Sequence, residues 1–174
     1  MENLFITGIK HSGKTTFARI LSSVTGIPFF DSDDLISEII KPLIIRNFYS
    51  RYGKDEFMEK ETQAVLSFIE KEKKPFILSL GGGASDNTRL MEIIKKNGKI
   101  IYLKRKKEDM LPVILKHGIP SFLDKDDLEG SFYSLYEKRN RIYEQYADKI
   151  IDLGPYRDKK ETVMDFLDEL KEYL

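Results

Sequence analysis

Residues Gly8 to Thr15 read Gly-Ile-Lys-His-Ser-Gly-Lys-Thr, the pattern G-x-x-x-x-G-K-[ST]. No other feature constrains the fold as much, because the pattern works only between a buried strand and the start of a helix. Both flanks qualify. Asn3–Thr7 (NLFIT) is a short apolar run expected to form a strand, and Gly13–Val24 reads as a helix closed by Gly26. Gly8 and Gly13 supply backbone angles closed to other residues. The loop amides, with His11 and Ser12 among them, and the helix N-terminus then converge on anionic oxygens. Lys14 is expected at the β- and γ-phosphates of ATP, and the Thr15 hydroxyl on magnesium. His11 and Lys10 fill variable positions of the motif, so His11 reads as a loop residue near phosphate rather than a catalytic base.

The rest of the chain repeats the strand-then-helix alternation. Further strands are expected at Pro28–Phe30, Pro75–Leu80, Lys99–Leu103 and Lys149–Leu153. Helices are expected at Asp33–Ile40, Phe57–Lys71, Asp86–Lys96, Lys106–Lys116, Ser131–Tyr146 and Lys159–Tyr173. Asp86 is read here as the acid that complements the dipole at a helix start. Five strands separated by helices give a three-layer α/β/α sandwich with a parallel sheet, one domain over 1–174. His117–Gly130 lacks periodicity and is expected to be a mobile lid. Lys plus Arg equals Asp plus Glu at 29 each, so nothing global points to nucleic acid or an anionic membrane. The absence of Cys removes thiolate chemistry and Cys-based zinc sites. No apolar run approaches the ~20 residues of a membrane span. A cytoplasmic monomer acting on a small molecule is the resulting expectation.

Two further clusters sit at expected strand ends, where parallel sheets place their ligands. Asp31-Ser32-Asp33-Asp34 puts three carboxylates into four positions, more than capping one helix requires. Such a cluster can hold magnesium or orient a hydroxyl. Asp34 is the member expected to serve structure alone. Gly81-Gly82-Gly83 strips side chains from the third strand's end, so that a ligand can approach the backbone. Arg139, within Glu137-Lys138-Arg139-Asn140-Arg141, offers a fork of donors suited to carboxylate or phosphate.

Together, Gly8–Thr16 (GIKHSGKTT), Phe30–Asp34 (FDSDD), Leu80–Ala84 (LGGGA) and Lys138–Arg139 followed by Tyr143 resemble the shikimate kinase family over nearly the whole chain. The resemblance implies a five-stranded parallel sheet of P-loop type, a lid over the nucleotide, and phosphoryl transfer from ATP to the 3-hydroxyl of shikimate. It implies Thr15 and Asp31 on magnesium, and Thr16 and Lys116 beside the nucleotide with the loop residues. It also implies Asp33 as the catalytic partner of Lys14 at the acceptor hydroxyl. Gly81, Gly82 and Arg139 would bind the acceptor, Arg139 through its carboxylate.

Two departures from the family pattern matter. Phe57-Met58-Glu59-Lys60-Glu61 carries Met58 where the family pattern has an arginine, a second expected carboxylate anchor. The lid reads Ile119-Pro120-Ser121-Phe122-Leu123, and no arginine lies between Arg105 and Arg139. Lys60, Arg46, Arg51 and Lys116 are the candidate substitutes. A thioether cannot pair with a carboxylate, so Met58 keeps open a kinase of this fold for another polyol or an acceptor without a carboxylate. A nucleotide-binding relative with little catalysis is the third reading.

Overall fold

Five apolar runs pair into one parallel sheet in the computed structural model, which describes residues 2–120, 123–156 and 159–173. The strands are β1 (Leu4–Thr7), β2 (Phe29–Asp31), β3 (Ile77–Ser79), β4 (Lys99–Lys104) and β5 (Lys149–Asp152), in the order β2-β3-β1-β4-β5. In register, Phe5 lies beside Leu78 on one side and Ile100 on the other.

Alternation within the strands builds two cores. Leu4, Ile6, Ile77, Ile101 and Leu103 point to one face, where α1 (Lys14–Thr25) and α7 (Lys159–Glu169) cover them with Phe17, Leu21 and Phe166. Phe5, Leu78, Ile100 and Tyr102 point to the other face. There Val65 of α3 (Ile45–Lys71), Leu90 of α4 (Thr88–Asn97), Ile114 of α5 (Lys107–Lys116) and Tyr143 of α6 (Leu128–Tyr146) close the core. A smaller cluster of Ile36, Ile40, Phe48 and Ala64 joins α2 (Ser32–Ile39) to α3. The three-layer sandwich follows from strands that are apolar on both faces.

Element boundaries depart most from the sequence expectation at four helices. The helix expected from Phe57 begins at Ile45 and is broken at Gly53, whose backbone (φ 82, ψ −176) is not helical. The added first segment carries Ile45, Phe48, Tyr49 and Tyr52 at helical spacing, with Phe48 buried, before Gly53 interrupts the pattern. The helix expected at Ser131 begins at Leu128, because the Asp127 carboxylate accepts the Gly130 amide at 3.0 Å. The irregular segment expected to be the lid is therefore 117–127, not 117–130; Ser121 and Phe122 of it lie outside the described residues. Asp86 does not open α4. It ends a 3-10 turn over Ala84–Asp86, and Asn87 caps the helix by accepting from the Leu90 amide at 3.2 Å. The last helix stops at Glu169, followed by a 3-10 turn over Lys171–Tyr173.

Candidate active site

Strand order reverses direction at β1 and β4, so a crevice opens beyond their carboxyl ends. The cradle lies there. Gly8 (φ 150) and Gly13 (φ 102) adopt angles that L side chains rarely reach. No side chain caps α1, which leaves its first amides facing the loop as an anion site. Lys14 is buried at 8% exposure, and its ammonium donates to the Ile9 carbonyl at 3.0 Å. Burial pushes that ammonium down to about 8, while Asp33 and Asp31 pull it back up. A buried ammonium held by one carbonyl is a charge prepared for a stronger anionic partner. Ser12 is fully buried.

His11 takes a left-handed backbone (φ 68), and its ring stacks on His117 at 4.6 Å, tying the cradle to the start of the 117–127 segment. Burial first, then the charge of His117, holds the His11 imidazole below its ordinary value. Lys116 is exposed and makes no hydrogen bond or ion pair among the described residues; its neighbour His117 reaches the cradle instead.

Thr15 and Asp31 come together: the Thr15 hydroxyl donates to the Asp31 carboxylate at 3.0 Å. Hard hydroxyl and carboxylate oxygens side by side suit magnesium. Among the described residues no cluster of three or more His, Cys, Asp or Glu could hold a metal ion, so phosphate oxygens and water would complete its shell. Asp31 is also the cap of α2, accepting the Asp33 amide at 3.1 Å. Structural duty thus falls on Asp31 rather than Asp34, which is exposed.

On the base side, Thr16 lines a recess of about 260 Å³ with Arg105 and Tyr156. The Arg105 guanidinium lies 4.2 Å from the centre of the Tyr156 ring, and the Tyr156 hydroxyl donates to the His11 carbonyl at 2.9 Å. Neither residue was singled out by the sequence; each acts through a partner distant in the chain.

On the acceptor side, a cavity of about 270 Å³ opens between the glycine triplet and α3, with Asp33, Met58, Glu61, Gly81, Gly82 and Arg139 in its wall. The Ser32 hydroxyl accepts the Gly81 amide at 3.0 Å, fixing the triplet against α2. A Cβ on Gly82 would come within 2.6 Å of the Lys10 amide nitrogen, so this glycine lets the triplet pack on the cradle. Asp33 stays accessible from the cavity, yet loss of hydration, with Asp31 second, raises its carboxyl above the ordinary value; Lys14 opposes the shift. Glu61 is buried. Desolvation pushes its carboxyl up to about 7, against the pull of an amide hydrogen bond from Asn87 at 2.9 Å.

Arg139 is drawn inward. Its guanidinium grips Asp86 through Nε (3.2 Å) and Nη2 (3.0 Å) and donates to the Gly82 carbonyl at 3.3 Å. The buried Tyr143 hydroxyl bonds the same carbonyl at 3.3 Å. Lys54 also reaches Asp86, at 3.0 Å. Lys60, Arg46, Arg51 and Lys116 do not line the cavity; Lys54 and Lys10 do. Nothing in the sequence marked Lys54, because its partner stands 32 residues away. A larger groove of about 570 Å³ between β5 and α7 lies away from all these groups.

A family model described as shikimate kinase matches residues 10–171. The chain is 30% identical over 166 residues to a shikimate kinase of Clostridium botulinum, covering 94% of this chain and 95% of that one. It is 29% identical over 160 residues to one of Bartonella quintana, covering 92% of this chain and 73% of that protein. A solved structure titled shikimate kinase from Acinetobacter baumannii in complex with shikimate superposes with a TM-score of 0.84 at 23% identity, covering 99% and 94% of the two chains.

Proposed function

The chain belongs to the shikimate kinase family, and from that premise we propose that it moves the γ-phosphoryl group of ATP to the 3-hydroxyl of shikimate. One observation carries the reading. Gly82 packs on the Lys10 backbone, so the acceptor cavity and the phosphate cradle share a wall, and the charges of Lys14 and Asp33 act on each other across it.

The residues divide the work. The cradle amides and Lys14 hold the β- and γ-phosphates, so negative charge leaving with ADP is met by a cation already in place. Asp33 grips the attacking hydroxyl. As the oxygen–phosphorus bond forms and the bond to the leaving ADP oxygen breaks, Asp33 guides or accepts the hydroxyl proton. Thr15 and Asp31 would hold magnesium, which supplies charge neutralisation at the phosphates. Arg139 supports the acceptor's carboxylate side. The segment 117–127 serves as the lid that excludes water once nucleotide is bound.

A second reading has a specific observation behind it. Asp86 already occupies the Arg139 fork and Met58 offers no charge, which favours a polyol without a carboxylate. ADP release with ATP and magnesium, measured against shikimate and a panel of neutral cyclitols, separates the two. Shikimate-dependent release is expected; release with neutral acceptors alone would replace the first reading by the second.

A further inference from the structure

One corner of the acceptor cavity gathers two cations on a single carboxylate. Asp86 receives the Arg139 fork and the Lys54 ammonium on one carboxylate, with both Nη2 and Nζ at 3.0 Å from Oδ2. Two cations thus meet on one carboxylate here, while Lys10, Asp33 and Glu61 line the rest of the same cavity. The Arg139 and Asp86 side chains are only 11% and 9% exposed, so their charges are poorly screened by water. Across the cavity, Met58 and Phe57 are neutral.

Stability alone does not account for Lys54. Its side chain is 44% exposed, and a pair of that kind contributes little, about 0–1 kcal/mol. Asp86 is already matched by the two-point contact from Arg139. Lys54 is therefore a second cation carried to the cavity rim, with Asp86 its only hydrogen-bond partner among the described residues. An ammonium has three donors, so Lys54 can keep Asp86 and still meet an entering carboxylate. The incoming anion would set a second carboxylate against the two cations.

We infer that Lys54 is a specificity-determining residue of the acceptor site, a second anchor that with Arg139 recognises a carboxylate on the acceptor, Asp86 being their shared internal counter-ion. The inference rests on the shikimate reading for the identity of the acid, and its test is kept separate from turnover. Calorimetric binding of shikimate and of its carboxamide, with ADP and magnesium present, is measured for the wild type and for Lys54→Met. The wild type is expected to prefer the acid about tenfold or more, which corresponds to about 1.4 kcal/mol. Lys54→Met removes most of that preference, leaves carboxamide affinity within about twofold, and leaves ADP affinity unchanged; these ratios follow from losing one charge-assisted contact. Lys54→Arg retains the preference, which a purely structural residue at this exposed site would not predict. An unchanged acid preference in Lys54→Met, or a wild type that binds acid and amide alike, overturns the inference. Tight acid binding without ADP release would defeat the phosphorylation reading while still deciding the role of Lys54.

Discussion

The charges of Asp33 and Lys14 act on each other across the wall between the two cavities. Asp33→Asn keeps the size of the side chain and one acceptor oxygen but loses the charge. Nucleotide affinity is expected to stay near wild type while kcat falls by ~10²–10⁴, the usual span for a lost general base. Steady-state kinetics beside nucleotide titration checks this, and a kcat within a few-fold of wild type would remove Asp33 from the reaction. Glu61 makes a prediction in pH. Its folded value is raised to about 7 by burial, so the folded protein binds a proton that the unfolded chain gives up from about 4.5. Stability from this residue is full below pH 4.5 and lost as pH rises through 7, by up to about 3 kcal/mol. Glu61→Gln has no such loss and can still accept from Asn87. The melting temperature of Glu61→Gln relative to wild type should rise by several degrees between pH 5 and pH 8, given ~2–4 °C per kcal/mol at this size. A pH-independent difference would show that Glu61 is not buried as a proton carrier.

At the scale of elements, α3 bends where it delivers Lys54. Gly53 sits at φ 82 and ψ −176, a region closed to residues with a side chain, and a Cβ there would meet nothing within 4 Å. The cost of Gly53→Ala is therefore backbone strain without a clash, about 1–3 kcal/mol. Relaxing that strain would straighten the helix and carry Lys54 away from Asp86. Lower stability and a several-fold higher acceptor KM with an unchanged ATP KM are expected; denaturant unfolding and kinetics read both. Unaltered stability would mean that the bend is not required. The start of α4 is tied to the same helix: Asn87 caps α4 and bonds Glu61 of α3, so the acceptor wall and the core share one fastening.

At the scale of the whole molecule, cradle, acidic cap and glycine triplet all lie at the carboxyl edge of one sheet. The 117–127 segment, irregular where it is described, is joined to the cradle by the His11–His117 stack. Hydrogen exchange should show the amides of His117, Gly118 and Asp124–Asp127 gaining protection when an ATP analogue and acceptor bind together, with the core strands unchanged. Equal exchange with and without ligands would count against closure. No helix among the described residues is long and apolar enough to cross a membrane.

Much of this was legible in the residues alone, and the reason is range. The cradle from Gly8 to Thr15 is contiguous, so its role is written in neighbouring residues. Strand periodicity and helical stripes likewise repeat within a few positions, which is why five strands and the sandwich could be read. The pairing of Thr15 with Asp31 spans 16 residues and was reached by family resemblance. The acceptor cavity is another matter. Asp86 looked like the acid at a helix start, and Arg139 like a carboxylate fork on a helix face. Nothing local marked Lys54. Their meeting joins residues 32 and 53 positions apart, through a bend at Gly53 and a turn at Ala84–Asp86 that no local pattern announces. An electrostatic site is decided by distance in space and by exclusion of water, and only the packed tertiary structure fixes those two quantities.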